Sequence, residues 1–333
     1  ISMTFFKKTY IYLTVCLFSI GCSVKNQHKN DIISSPHPLA SQAGKDMYSI
    51  GGNAFDAAVA AAFTLSVVEP SMSGIGGRLQ SIYKTQDGNI AGVDATTQIP
   101  LNYDSKKSSS DSYGYNTIGI PGVVAGLIKL HEEHGVLDLK TVMAPSIRHA
   151  DEGYMIFPGE AKRQASAKDI IESFEGTKLY FLNSNGDSFM GGDIVVQKDL
   201  ANTLRIISEN GKKGFYEGEI AEKIVNDMQS NGGLITLEDL KNYSALDSKI
   251  LTGSFQGYNI HSLYLPSYGA ITIQILQILD NLNIQTEDEL AIKISSASEK
   301  AFKYRYYQNN EDSLKSILSY DLARKIANKI NND

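Results

Sequence analysis

Hydrophobic residues recur at helical spacing along much of the chain. Leu39, Ala43 and Met47 lie four residues apart, which predicts an amphipathic helix over 38–49 that ends at the glycines 51 and 52. An almost uninterrupted apolar run follows over 54–68. Its many small residues predict a fully buried helix that neighbouring elements approach closely. Asn53 and Asp56 occupy the positions from which side chains cap a helical first turn.

Two β-like runs, 79–84 and 90–94, flank the turn-forming dipeptide Asp87-Gly88. A two-residue loop at this dipeptide would place Arg78 opposite Thr97 and Leu79 opposite Thr96; a slip of one residue would change both pairs. Helices are also predicted at 124–134, 139–151, 199–210, 219–231, 268–282 and through most of 287–333, and strands at 250–262. Because helices and hairpins segregate without a repeated βαβ unit, the pattern predicts an α+β fold of sheets flanked by helices.

The N-terminal segment has the pattern of an export signal. Lys7 and Lys8 precede a short apolar stretch over 10–20, which ends near Cys22. Residues 19–22 resemble a bacterial lipobox, although Leu is usual where Ser19 stands, and they predict lipidation of Cys22. An ordinary signal peptide with an incidental cysteine is the alternative. The predicted organisation is an export signal (1–22), a flexible tether (23–35) and a globular domain (36–333), located in the periplasm or anchored to the outer membrane.

Composition narrows the function classes. The 333 residues are 42% hydrophobic and 20% charged, as expected of a globular protein. The net charge of -6, without a basic run in the body, argues against a nucleic-acid partner. Both cysteines precede residue 23, so the body has neither a disulfide nor a thiolate metal site.

Three short motifs invite functional interpretations that their context does not support. The glycines of 74–77 follow a helix and precede strands, the reverse of a nucleotide-binding loop. His131 and His134 are three residues apart rather than the four of a zinc-protease helix, and a solvated helix face is predicted. Ser254 is off-centre for a nucleophile elbow, and a bent strand is predicted. No metal or cofactor is predicted.

Longer strings carry a specific resemblance. The chain contains GGNAFDAAVA at 51–60, SGIGG at 73–77, GIPGVVAG at 119–126, FYEG at 215–218 and GGLITLEDL at 232–240. In this order they resemble the large-subunit blocks of γ-glutamyltranspeptidases, and the similarity extends from residue 36 to about residue 320. The resemblance implies an N-terminal-nucleophile hydrolase with a four-layer αββα architecture. In that family a small subunit supplies an N-terminal Thr that attacks a γ-glutamyl amide, and glutathione is the usual substrate.

The resemblance also implies that the catalytic nucleophile lies outside this chain. The sequence has no Thr after Thr286, and the Thr96-Thr97-Gln98 string lies within the hairpin region. We therefore expect no catalytic residue here and a partner small subunit that carries the Thr. A processed subunit and a truncated gene product are both consistent with this expectation.

The segment expected to bind substrate departs from the family pattern. Where the family has D-x-R-E-x-x-P, with an Arg that grips the substrate α-carboxylate, this chain has Thr96 in the Arg position. Arg78 interrupts the glycine run nearby, and Tyr268 stands where the family has Ser. A γ-glutamyl compound remains the default substrate, with Thr96 and Arg78 as the candidate substrate-binding residues. The alternatives are an acylase for other side-chain amides and a non-catalytic, lipid-anchored remnant.

Overall fold

The computed structural model describes residues 31–106 and 112–332. Up to residue 155 the elements are α1 (Pro38–Ser49), α2 (Ala54–Val68), α3 (Pro70–Ser73), β1 (Leu79–Lys84), β2 (Ile90–Ala95), a 3-10 turn (Tyr115–Thr117), α4 (Val123–His134), α5 (Leu139–Glu152) and β3 (Tyr154–Met155). Next come α6 (Pro158–Ser166), α7 (Lys168–Glu172), α8 (Glu175–Phe181), β4 (Ile194–Val195), α9 (Lys198–Asn210), α10 (Lys213–Tyr216), α11 (Gly218–Ser230), α12 (Leu237–Asn242) and β5 (Leu246–Asp247). The C-terminal elements are β6 (Ile250–Phe255), β7 (Tyr258–Leu263), α13 (Gly269–Asp280), α14 (Glu287–Phe302), a 3-10 turn (Arg305–Tyr307), α15 (Glu311–Ile317) and α16 (Tyr320–Asn332).

The first long motif caps and anchors α2. The Asn53 side chain accepts hydrogen bonds from the amides of Phe55 and Asp56, and Asp56 accepts from the Asn53 amide at 2.8 Å. This is the predicted capping box. Asp56 is fully buried and also accepts from the amides of Val136 and Leu137 in the loop before α5. The motif is therefore structural: it caps α2 and fastens a loop 80 residues away.

Helix α2 is mostly rather than fully buried. Ala54 and Ala58 are exposed, and they lie one turn apart on the same helical face. The prediction of complete burial was wrong for this narrow stripe, where alanine exposes little apolar surface.

The turn between β1 and β2 also differs from the prediction. Lys84 pairs with Ile90, and the Thr85 amide donates to the Asn89 carbonyl at 2.9 Å, which leaves a three-residue loop over 86–88. Gly88 has a φ of 90°, and a left-handed glycine is the residue that closes such a loop. The register is therefore shifted by one residue, and Leu79 pairs with Ala95 instead of Thr96.

The strands form three small antiparallel sheets in the described residues, ordered β1-β2-β5, β3-β4 and β6-β7. A first hydrophobic core extends from α1 to Tyr243 and includes Phe63, Val93 and Leu127. A second core, from Leu251 to Ile330, joins the β6-β7 hairpin to α13, α14, α15 and α16. This arrangement confirms the α+β class.

Candidate substrate-binding segment

The continuation of β2 carries the candidate substrate-binding residue Thr96. Beyond Ala95 the chain leaves the β1-β2 ladder and runs extended to Leu101. Gln98 forms an isolated antiparallel bridge to Ile120, with N–O distances of 3.2 and 2.8 Å. We call residues 94–101 the site segment, because it carries Thr96 and two of the long motifs contact it.

Two glycines allow helix α4 to touch the site segment. A Cβ atom on Gly122 would lie 1.9 Å from the Ala95 carbonyl oxygen and 2.4 Å from the Tyr243 hydroxyl. A Cβ atom on Gly126 would lie 2.6 Å from the Ala95 Cβ. No real side-chain carbon approaches so closely, so the GIPGVVAG string needs both glycines to pack against the end of β2.

Two buried tyrosines hold the site segment and the neighbouring Pro121 through hydrogen bonds from their hydroxyl groups. The rings of Tyr216 and Tyr243 stack at a centroid distance of 5.4 Å. The Tyr216 hydroxyl donates to the Pro121 carbonyl at 2.8 Å, and the Tyr243 hydroxyl donates to the Thr96 carbonyl at 2.7 Å. Burial, with a contribution from the Asp94 charge, raises the pKa of Tyr243 to about 12, so this hydroxyl remains a donor at neutral pH.

The GGLITLEDL string holds the far end of the segment. Thr236 and Asp239 form a capping box at the start of α12. The second Asp239 carboxylate oxygen accepts from the Leu101 amide at 2.8 Å. The backbone of the site segment is thus bonded at Thr96, Gln98 and Leu101 and packed at Ala95 by residues of the GIPGVVAG and GGLITLEDL strings and by Tyr243. Sequence reasoning identified these strings but missed the supporting roles of Tyr216, Tyr243 and Asp239.

The Thr96 side chain is turned toward Asp94. Asp94 Oδ1 accepts from the Thr96 hydroxyl at 2.8 Å and from the Thr96 amide at 3.1 Å. Thr96 is half-buried, and its hydroxyl is committed to this local bond. It supplies no positive charge at the position where the family pattern has a guanidinium.

Arg78 lies one residue before β1. Leu79 and Ala95 form the last pair of the ladder, so Arg78 and Thr96 are the first residues beyond it on their two strands. If the register continued for one more step, the two residues would be directly opposed on one face of the hairpin, whereas the two-residue turn put them on opposite faces. Arg78 is exposed, and within the described chain its guanidinium forms no ion pair.

An open cavity of about 570 Å³ adjoins the site segment. Hydroxyl and amide groups share its wall with apolar side chains, and the lining residues are Thr97, Gln98, Ile99, Pro100, Asn102, Tyr103, Asp104, Asn116, Thr117, Ile118, Gly119 and Leu234. Ile99 is 70% exposed at its rim. Among the described lining residues, one carries a carboxylate and none carries a cationic side chain.

The histidine pair His131 and His134 and the serine Ser254, for which no catalytic role was predicted, lie in structural contacts. His131 Nε2 lies 2.9 Å from the Leu137 carbonyl, and His134 Nε2 lies 3.1 Å from the Tyr83 hydroxyl. Both rings are largely covered, so the predicted solvated face was wrong for the two histidines: each packs into the loop or hairpin beside α4. Ser254 lies in the regular β6-β7 hairpin, whose tight turn at Gln256 and Gly257 has both φ angles positive.

Cys22, Lys7, Lys8 and the tether up to residue 30 lie outside the described residues. Within 31–106 and 112–332, no helix combines the length and apolar character needed to cross a bilayer. In the same ranges, no three His, Cys, Asp or Glu side chains are grouped to share a metal ion.

The α+β body is that of the N-terminal-nucleophile hydrolases. The chain belongs to the γ-glutamyltranspeptidase family, whose sequence model, described as Gamma-glutamyltranspeptidase, matches residues 40–333. Its structure is similar to that of Helicobacter pylori γ-glutamyltranspeptidase, with a TM-score of 0.85 and 33% identity, covering 91% of this chain and 93% of that chain. It is also similar to the Bacillus anthracis transpeptidase CapD, with a TM-score of 0.73 and 28% identity, covering 87% of this chain and 97% of that chain.

Two curated relatives define what the chain covers. It is 33% identical over 297 residues to the glutathione hydrolase proenzyme of Escherichia coli K12, covering 85% of this chain and 50% of that protein. It is 36% identical over 275 residues to the proenzyme of the same name from Bacillus subtilis 168, covering 78% of this chain and 46% of that protein. The chain thus spans about half the length of the curated relatives it matches and represents the large-subunit portion of this enzyme family.

Proposed function

We propose that this chain is the large subunit of an exported γ-glutamyl amide hydrolase or transpeptidase that acts on glutathione-like compounds. The observation that carries the proposal is the convergence of two separate strings and Tyr243 on residues 94–101. Three backbone hydrogen-bonding points and two close-packed glycines fix a segment that bears no cationic side chain of its own. Such preorganisation is expected of a wall that orients a substrate.

The nucleophile in this proposal is the N-terminal Thr of a small subunit, activated by its own α-amine. Support comes from the half-length coverage of relatives named proenzymes. The test is to express the chain alone and together with a small subunit, and to assay release of p-nitroaniline from γ-glutamyl-p-nitroanilide. Only the two-subunit protein should turn over. If this chain alone turned over the substrate, and substituting one of its own residues abolished that turnover, the proposal that the nucleophile lies on the small subunit would be refuted. Inactivity of both forms would favour a non-catalytic remnant.

We further propose that Arg78 supplies the positive charge that Thr96 lacks and binds the substrate α-carboxylate. The one-step extension of the observed register and the exposure of Arg78 support this assignment. A guanidinium–carboxylate pair contributes roughly 1.5–3 kcal/mol, or about 10- to 150-fold in affinity.

Three substrates test the role of Arg78 in the two-subunit enzyme. The 4-aminobutanoyl amide lacks the carboxylate, the glutaryl amide lacks the amine, and the γ-glutamyl amide has both. Arg78→Ala should raise KM for the γ-glutamyl and glutaryl amides and leave that for the 4-aminobutanoyl amide unchanged. Thr96→Arg should restore the lost affinity. Equal losses on all three substrates would exclude recognition of the carboxylate by Arg78. An acylase without γ-glutamyl preference would show no Arg78 effect and higher activity on other amides.

Export with a lipid anchor at Cys22 is also a proposal. It rests on the basic residues, the short apolar stretch and the Gly21-Cys22 pair at the N-terminus. Multiple acyl chains on a processed cysteine would anchor the protein stably, whereas one chain binds only marginally. Mass spectrometry of the mature protein should find a lipid-modified Cys22 as its first residue. An unmodified N-terminus elsewhere would refute the anchor.

A further inference from the structure

A cluster of charged residues contacts the short helix that precedes the glycine run. Glu69 ends α2, and Glu160 and Arg163 belong to α6. Arg163 Nη2 binds one oxygen of each carboxylate, at 2.8 Å for Glu160. Glu160 is fully buried. Burial of a carboxylate is costly unless hydrogen bonds compensate, so the bonds of Glu160 show what this cluster holds in place.

Both carboxylate oxygens of Glu160 accept a hydrogen bond from Ser71. Glu160 Oε2 accepts from the Ser71 hydroxyl at 2.6 Å and from Arg163, and Oε1 accepts from the Ser71 amide at 3.3 Å and from Gln164 at 2.8 Å. Arg163 Nε in turn donates to the Ser71 hydroxyl oxygen at 3.0 Å. Ser71 is itself exposed. A buried carboxylate therefore reaches outward to hold the short helix α3 by both its backbone and its side chain.

Helix α3 leads directly into the glycine run and Arg78. At the far end of the run, the Gly77 carbonyl accepts from the amides of Gly122 and Val123 at 2.8 and 3.2 Å. Between these anchors only Ile75 packs against the first core, and Met72 is 71% exposed. Glycine-rich backbone has many accessible conformations. The amides of Met72, Ser73 and Gly74 donate to the carbonyls of Glu69 and Pro70. The conformation of 72–76 therefore depends on how residues 69–71 are held at one end and Gly77 at the other.

We propose that Glu160 is a positioning residue: by holding Ser71 it fixes the glycine run and the direction from which Arg78 enters the substrate-binding side of the hairpin. Glu69 shares Arg163 but makes no hydrogen bond to Ser71 in the described structure. In this proposal Glu69 serves only as the second carboxylate partner of Arg163. The two carboxylates of one cluster therefore have separable functions, which provides a matched control.

Hydrogen–deuterium exchange tests the structural part, independently of any activity. Peptides covering 69–78 are compared in wild type, Glu160→Gln, Ser71→Ala and Glu69→Gln, with the protein in its assembled form. Loss of one charge-assisted bond predicts about tenfold faster exchange over 71–77 in the first two variants. Glu69→Gln should resemble wild type, and peptides over 118–126 should be unchanged throughout. Ser71→Ala alters an exposed residue, so it keeps the test decisive if Glu160→Gln fails to fold. Unchanged exchange in Ser71→Ala, or an equal increase in Glu69→Gln, would overturn the proposal.

The consequence for catalysis rests on the proposed function and has its own readout. Glu160→Gln should raise KM for the γ-glutamyl amide with kcat unchanged, because a carboxylate contact is made equally in the ground and transition states. In an Arg78→Ala background the same substitution should have no further effect on KM. A kcat loss that persists in that background would overturn positioning through Arg78. If Arg78→Ala left KM unchanged, the role proposed for Arg78 would be refuted. The hydrogen–deuterium exchange of peptides over 69–78 would then decide by itself whether Glu160 holds the glycine run.

Discussion

The two hydrophobic cores of the molecule are specified in different ways. In the first core, buried polar side chains reach across the chain to bond backbone amides and carbonyls, as Asp56, Asp239 and Tyr243 do. In the second core, the fully buried amide of Gln274 on α13 has no hydrogen-bond partner among the described residues. The second core has bonds across the chain too, from Gln277 to the Leu318 carbonyl and from Tyr264 to the Gln308 carbonyl, so the contrast is one of degree: Gln274 adds packing volume to the second core without a directional bond.

This difference follows the distribution of the long motifs. The strings at 51–60, 73–77, 119–126, 215–218 and 232–240 all lie before the second core begins at Leu251. Directional bonds fix the position of backbone to within a fraction of an ångström, whereas apolar packing tolerates volume-conserving rearrangement. The region that carries the long motifs and the site segment is therefore the one in which Asp56, Asp239 and Tyr243 bond distant backbone.

The largest effect is expected from removing a directional bond set in the first core. Asp56→Ala would leave the amides of Asn53, Val136 and Leu137 without their acceptor. Unsatisfied buried donors should lower the free energy of unfolding by about 3 kcal/mol. Urea denaturation measures this loss. Asp151→Ala, which removes the half-exposed partner of Lys198 and Arg205, is the control and should cost clearly less, because surface ion pairs contribute little. Similar losses in both variants would remove the distinction between buried and surface carboxylates.

A smaller effect is expected at the site segment. Tyr243→Phe keeps the stack on Tyr216 but removes the donor to the Thr96 carbonyl. It should cost about 1 kcal/mol and increase hydrogen exchange selectively over 96–101. Tyr258→Phe, at an exposed hairpin position, should change neither quantity. If Tyr243→Phe lowers stability without altering exchange over 96–101, the hydroxyl serves the core and not the segment.

The second core should respond in the opposite direction. Gln274→Met replaces an unpartnered buried amide with an apolar side chain of similar length and should stabilise the protein by about 1 kcal/mol. Gln277→Met on the same helix is the matched control, because the Gln277 amide donates to the Leu318 carbonyl at 3.3 Å. It should be neutral or destabilising. Thermal unfolding distinguishes the two variants. Destabilisation by Gln274→Met would mean that the Gln274 amide makes a stabilising polar contact in the folded protein.

Much of the fold could be predicted from the sequence because its local signals agree. The helical spacing of Leu39, Ala43 and Met47 predicted α1, and the cap residues Asn53 and Asp56 predicted the start of α2. The hairpin strands were also predicted, but not their register, because Asp87-Gly88 suits two-residue and three-residue loops alike. Choosing between the loops depends on packing beyond the hairpin, including the contact of Gly126 with Leu79 and Ala95.

The site was predicted less completely. The strings that resemble the family identified the segment around Thr96, yet nothing in their spacing shows that Tyr243 and Asp239 bond the backbone at Thr96 and Leu101. Such bonds join residues more than 130 positions apart, and no local pattern encodes them. Glu160 carries no signal either, because a single Glu in a polar helix predicts a solvated face and only the tertiary structure buries it.

The final prediction concerns the two carboxylates that share Arg163, which differ in their pH dependence rather than in the size of their effect. Burial alone would raise the pKa of Glu160, but hydrogen bonds from Ser71, Gln164 and Arg163 together hold it below the usual range. Its stabilising contribution is therefore present above the unfolded-state pKa of about 4.3 and is lost as the pH falls through the lower folded value.

Glu69 behaves in the opposite sense. Burial raises its pKa despite the Arg163 charge, and the neighbouring Glu160 charge raises it further. Its contribution is full below the unfolded-state pKa and is lost as the pH rises through the higher folded value. Glu69→Gln, which mimics the neutral form, should therefore gain stability relative to wild type as the pH is raised from about 4 to 7. Glu160→Gln should lose relative stability over a lower range, as the pH is raised from about 2 to 5. Urea denaturation of each variant across its own range measures the two slopes; slopes of the same sign would mean that the cluster titrates as one unit and that Glu160 has no separate stabilising bond to Ser71.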